Sequence, residues 1–168
     1  MELKDIRAFV CVPGVGKSYL ANTDPRFVDM DQMKVRYKYA QNFTQMQIEQ
    51  NKGLERKTVN HNSVEYIKNK TLELLRDTNK ILLYAPNPDI VEMLVENKIP
   101  YCLVYVSLDC KEEIRMRMKN RGNSDEFIER MLGPLESFYA ANVADTRPVF
   151  KIELQRGEYL SSKLIELL

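Results

Sequence analysis

Histidine occurs once in the 168 residues, as His61, and cysteine three times, as Cys11, Cys102 and Cys110. The odd cysteine count and the lack of any CxxC pair leave no disulfide framework and almost no ligand set for zinc. A reducing cytoplasmic setting is expected. A Cys–His or Ser–His–Asp hydrolase would have to use His61, which stands in a polar stretch. No apolar run approaches the length of a membrane span. Met1–Asp5 lacks the charged-then-apolar layout of a signal peptide. Neither sign of charge is in excess: 25 Lys+Arg against 24 Asp+Glu give a net charge of +1. That balance argues against a nucleic-acid coat or a polybasic membrane anchor, although it does not exclude a local basic groove. What is present is 44% hydrophobic and 29% charged residues, in a chain long enough to close one core.

Strand and helix patterns alternate without a repeat or a linker, which predicts one α/β domain over 1–168 with a mainly parallel sheet. Ile6 to Val12 is nearly continuously apolar and predicts a central strand buried on both faces. A loop over Pro13–Gly16 and a short helix over Lys17–Asn22 follow. Phe27 to Asp31 predicts a second strand, and Gln32 to Gln41 a helix. The Asn- and Gln-rich stretch around 41–62 predicts a weak helix over Gln45–Lys52, and reads as either an exposed insertion or a substrate-side flap. Ser63–Asp77 carries an apolar stripe at helical spacing, namely Val64, Ile67, Thr71, Leu74 and Leu75. Further strands are expected at Lys80–Ala85, Tyr101–Leu108 and Pro148–Leu154. Helices are expected at Asp89–Glu96 behind an Asn87 cap, at Asp109–Arg121 with Asp109 and Glu112 at capping-box spacing, from Ser124 with a break at Gly133-Pro134, and at Tyr159–Leu168.

The segment that carries chemistry is Cys11-Val12-Pro13-Gly14-Val15-Gly16-Lys17-Ser18. Its last Gly, the Lys and the Ser match the phosphate-binding loop pattern, between a buried-strand pattern and a helix. Gly14 and Gly16 can adopt the φ values that turn main-chain N–H groups toward a polyphosphate. A helix start then favours negative charge. Lys17 suits the β- and γ-phosphates, and the Ser18 hydroxyl suits Mg²⁺. The bland alternative is a Gly-rich turn with a solvated lysine and Ser18 as a cap.

Val10 to Leu20 resembles the start of the P-loop kinases: nucleoside monophosphate, shikimate and gluconate kinases and polynucleotide 5′-kinases. The Pro13–Ser18 run is especially similar to the small members, phage-type ones included, which would put the chain in a host cell's cytoplasm. The resemblance implies a three-layer α/β/α P-loop NTPase fold with a five-stranded parallel sheet of order 2-3-1-4-5. It implies ATP bound along Pro13, Gly14, Val15, Gly16, Lys17, Ser18 and Tyr19. Asp29-Met30-Asp31 resembles the Asp-x-Asp after the second strand of kinases that phosphorylate a hydroxyl. By that resemblance Asp29 helps hold Mg²⁺ and Asp31 orients or deprotonates the acceptor; Asp31 as a simple helix cap is the other reading. Arg36 resembles the arginine that grips an acceptor phosphate, and Lys34 stands nearby to do the same. Arg117 and Arg121 fit the family's Arg-x-x-x-Arg, with a short lid around 117–125 and Arg130 as a third cation; the alternative is an exposed charged face.

Two departures stand against the resemblance. Cys11 replaces the first loop glycine, and Ile81–Pro86 offers no acid at the end of the third strand. The expectation is an ATP- and Mg²⁺-dependent phosphotransferase acting on a small nucleoside or nucleotide. Alternatives are a polynucleotide 5′-hydroxyl kinase, a nucleotide-binding module without transfer, and a plain structural α/β protein.

Overall fold

The computed structural model describes residues 1–30, 37–38, 58–59 and 62–167; of the two short pieces and of 165–167 only the backbone is described. Strand β1 (Ala8–Cys11) leads into α1 (Lys17–Thr23) and β2 (Phe27–Asp29). A two-residue ribbon, β3 (Tyr37–Lys38) with β4 (Thr58–Val59), precedes α2 (Ser63–Leu74) and β5 (Ile81–Tyr84). Then come α3 (Pro88–Glu96), β6 (Cys102–Val106), α4 (Lys111–Asn120), α5 (Asp125–Leu132), α6 (Leu135–Ala144), β7 (Phe150–Leu154) and α7 (Leu160–Leu167).

The main sheet has five strands in the order β2-β5-β1-β6-β7, and every pairing in it is parallel. Among the sheet's own strands that order is 2-3-1-4-5, as expected. Strand side chains alternate faces, and the core divides accordingly. Phe9, Cys11, Leu83 and Val104 pack with Leu20, Ile114, Ile128 and Leu160 on the side of α1, α4, α5 and α7. Ala8, Val10, Leu82 and Leu103 pack with Ile67, Ile90 and Leu94 on the side of α2 and α3. The three central strands are therefore covered on both faces, which is why their sequences are continuous apolar runs rather than alternating ones. A side chain such as Phe9, fully buried, contributes about 1.5–3 kcal/mol.

Local signals account for most boundaries. The Asn87 side chain accepts from the Asp89 amide, with Pro88 at the first helical position. Ser124 Oγ accepts from the Phe127 amide and starts α5. Gly122 ends α4 at φ +80°, and the Asn123 amide reaches back to the Met118 carbonyl. Gly133-Pro134 separates α5 from α6. The apolar stripe of α2 holds: Ile67 and Thr71 are buried, and Thr71 Oγ1 shares a hydrogen bond of 2.8 Å with the Tyr84 hydroxyl.

Two expectations are corrected. Tyr37 and Lys38 are not helical; they pair antiparallel with Val59 and Thr58, so the helix over Gln32–Gln41 does not run through them. Asp109 does not cap α4. It bonds to Ser107 Oγ inside a 3₁₀ turn, Leu108–Cys110, and α4 starts after that turn. The weak helix over Gln45–Lys52 lies outside the described residues.

Candidate functional site

The loop between β1 and α1 lies at the C-terminal edge of the central strand, the edge where ligands bind in open parallel sheets. Gly14 has φ +84° and Gly16 φ +103°, a region that favours glycine. At Gly14 space is short as well, since a Cβ there would stand 3.0 Å from Ile114 Cγ2. Two loop carbonyls are engaged from outside. The Leu160 amide donates to the Val15 carbonyl at 3.0 Å, and Arg117 Nη1 reaches the Gly14 carbonyl at 3.5 Å. Among the described residues the amides of Gly14, Val15 and Gly16 donate no hydrogen bond. Unbonded successive amides at left-handed glycines are the elements of an anion-binding nest.

Lys17 Nζ donates to the carbonyls of Cys11 at 2.8 Å and Val12 at 3.1 Å. The ammonium thus sits over the end of β1, beside the loop it would serve. Ser18 Oγ donates to Asp29 Oδ2 at 2.7 Å. Asp29 is level with Leu83 of β5 in the strand register, so β2 supplies the acid that the end of β5 lacks. Among the described residues no group of three or more His, Cys, Asp and Glu could hold a metal ion. Magnesium sites in general need only one or two protein oxygens, with substrate phosphates completing the set. The hydroxyl–carboxylate pair of Ser18 and Asp29 fits that role.

Cys11, which stands where the loop pattern has glycine, does not crowd the loop. Its side chain is fully buried in the core on the α1 face, and burial pushes its thiol up to about 12. It is therefore a neutral core residue and not a nucleophile. Pro13 is partly buried, Val15 is fully buried, and Tyr19 is 65% exposed on α1.

The three arginines differ. The Arg117 side chain is only 11% exposed. It is ion-paired with Glu113, donates to the Glu158 carbonyl at 2.9 Å, and lies 3.7 Å above the Tyr159 ring. Glu113 in turn accepts from the Gly157 amide at 2.8 Å. That bond, followed by the Arg117 side chain, holds its carboxyl below the usual range. Arg117 thus ties α4 to the turn before α7 while touching the β1–α1 loop. Arg121 and Arg130 are exposed, and Arg130 lies 5.3 Å from the Phe127 ring centre. Lys17, Ser18 and Asp29 are brought together at the loop. Asp31, Lys34 and Arg36 lie outside the described residues.

Sequence reasoning missed two features. One is the bracing of the loop by Glu113, Tyr159 and Leu160, whose contacts join segments more than 40 residues apart and leave no local signal. The other is an apolar cavity of about 130 Å³ that Val12 and Pro13 share with Pro86, Tyr105, Met131 and Phe138. The aromatic content of α6 is its trace in the sequence.

No described helix is long and apolar enough to cross a membrane. No protein-family model matches the chain, and no curated protein matches it. Its fold is similar to the crystal structure of an uncharacterized protein from Eubacterium ventriosum ATCC 27560, with a TM-score of 0.50, 10% identity and 96% of each chain covered. At that identity the likeness concerns the fold alone: an α/β protein with a five-stranded, all-parallel sheet of order 2-3-1-4-5.

Proposed function

We propose that the chain is a P-loop kinase-like phosphotransferase, which moves the γ-phosphoryl of ATP to a nucleoside or nucleotide in the presence of Mg²⁺. The observation that carries this reading is the Val12–Ser18 loop itself. It joins two left-handed glycines, unbonded amides among the described residues, a lysine beside the loop and a serine bonded to a strand-end aspartate. Each part suits a polyphosphate, and together they suit one better than a simple turn does.

In this reading the amides of Gly14 to Gly16 bind the phosphate tail. Lys17 exchanges its two carbonyl partners for phosphate oxygens and meets the charge that builds there. Ser18 and Asp29 would hold Mg²⁺, which when bound neutralises phosphate charge. Asp31 orients the acceptor hydroxyl and takes its proton as the new O–P bond forms and the bond from Pγ to the β-phosphate oxygen breaks, so that ADP leaves. Lys34 and Arg36 grip an acceptor phosphate where there is one. Arg121 and Arg130 are the lid cations free of carboxylate partners among the described residues, whereas Arg117 reaches the site already paired. Catalysis is then mainly positioning and charge stabilisation.

The test is a panel of nucleosides, nucleoside monophosphates and short oligonucleotides incubated with labelled ATP and Mg²⁺. Label transfer to a nucleoside or its monophosphate is expected. Transfer confined to oligonucleotide 5′ ends would point to a polynucleotide kinase. ATP binding with no transfer to any acceptor would make the chain a nucleotide-binding module.

A further inference from the structure

The apolar cavity beside the phosphate loop is large enough to be selective. It lies against the C-terminal ends of three adjacent strands: Val12 and Pro13 follow β1, Pro86 follows β5, and Tyr105 belongs to β6. The α5–α6 pair closes it through Met131 and Phe138, and Phe138 is 50% exposed, so the cavity opens to solvent. Val12 and Pro13 also begin the phosphate loop. A molecule seated in the cavity is therefore next to the proposed site of transfer.

Size and lining limit what can enter. The cavity holds about 130 Å³. An enclosed apolar cavity of about 150 Å³ takes up one benzene molecule, so the enclosed part of this one matches a single six-membered ring, and the second ring of a fused bicycle would stand in the open mouth beside Phe138. The walls are mostly aliphatic, aromatic and thioether groups, which suit the two faces of a flat ring. Tyr105 is fixed edge-on to Tyr139 at 5.8 Å, and the Tyr139 hydroxyl is committed to Glu153 at 3.2 Å. Those two rings, packed edge to face, form one wall of the cavity. Asn142 lines the cavity too; its amide offers an NH₂ group that donates and a carbonyl that accepts, which can pair with one polar edge of a pyrimidine.

We infer that this cavity is the base pocket of the acceptor and that it selects a pyrimidine over a purine. The inference rests on the kinase reading above and adds to it the class of nucleoside. It assigns Phe138 and Asn142 as specificity-determining residues, roles that touch neither the phosphate loop nor the lid arginines.

The test is calorimetry on the full chain with thymidine, cytidine, adenosine, guanosine and their 5′-monophosphates, with ATP binding measured separately by thermal shift. Pyrimidine ligands are expected to bind at least about tenfold more tightly than their purine counterparts. Ala141, an exposed helix position that lines the cavity, provides the block. Ala141→Phe is expected to weaken pyrimidine binding by about tenfold or more while leaving the ATP shift unchanged. Should that variant melt early, Asn142→Leu carries the same test, with a smaller loss confined to nucleosides. Purines binding as tightly as pyrimidines, no nucleoside binding at all, or binding indifferent to both variants would overturn the pocket assignment, and intact ATP-dependent transfer would leave the kinase reading standing. Pyrimidine binding lost in Ala141→Phe, with no ATP shift in the wild type, would overturn the kinase reading and keep the pocket.

Discussion

Replacing Gly14 by alanine tests how tightly the loop between β1 and α1 is specified. The backbone there sits at φ +84°, and a left-handed conformation costs an L residue about 1–2 kcal/mol. The new Cβ would also stand 3.0 Å from Ile114 Cγ2 and 3.5 Å from its Cδ1. Ile114 is buried in the core between α4 and the sheet, so it yields only by leaving its rotamer, at about 0.5–1.5 kcal/mol. The sum is a loss of about 1.5–3.5 kcal/mol. It is readable by urea unfolding as a drop in midpoint of about 1 M for a slope of about 2 kcal/mol per M. A double-mutant cycle separates the two causes. In an Ile114→Ala background the contact is gone, so Gly14→Ala should then cost only the backbone part. A Gly14→Ala variant within about 0.5 kcal/mol of wild type would refute the reasoning, because surface-like tolerance is incompatible with a strained and crowded position.

Other expectations follow from the same network. Asp29→Asn keeps the Ser18 contact but removes the charge, so Mg²⁺-dependent ATP affinity should fall by about tenfold or more while affinity measured without Mg²⁺ changes little; calorimetry with and without Mg²⁺ checks this. The Gly157 amide, followed by Arg117, holds the Glu113 carboxyl below its usual range. A lowered folded-state value means that this contribution is fully present above the ordinary carboxylate range and is lost as pH falls from that range through the lowered value. Glu113→Gln should therefore flatten the fall in melting temperature below about pH 4 and leave a pH-independent loss above it. An acid limb as steep as that of the wild type would remove Glu113 from the account.

Much of this was legible in the sequence because it is local or periodic. The runs Ala8–Cys11, Ile81–Tyr84 and Cys102–Val106 are apolar at every position, and each is a strand buried on both faces. Asn87-Pro88, Ser124, Gly122 and Gly133 mark element ends by chemistry contained within a few residues. The turn at Gly14 and Gly16 was legible for the same reason, since both glycines take the positive φ that their residue type allows. What could not be read depends on distant partners. Tyr37–Lys38 takes its form from pairing with Thr58–Val59, twenty residues away, and a strand of two residues has no period to detect. Asp109 and Glu112 have the spacing of a capping box, but Ser107 claims Asp109 first. Arg117 reads as a lid cation only by its resemblance to the P-loop kinases, and its partners Glu158 and Tyr159 come from the other end of the chain. The cavity forms only when α5 and α6 fold over the strand ends.

The central claim, that the loop over residues 13–18 binds a triphosphate through its amides and Lys17, is tested most directly by ATP binding to the wild type and to Lys17→Ala. The account predicts that ATP at a hundredfold excess over its Kd stabilises the wild type by about 2.7 kcal/mol. It predicts that Lys17→Ala, folded and with a similar melting temperature in the absence of ligand, loses most of that stabilisation. No ATP-dependent stabilisation of the wild type, or an equal one in Lys17→Ala, would contradict it.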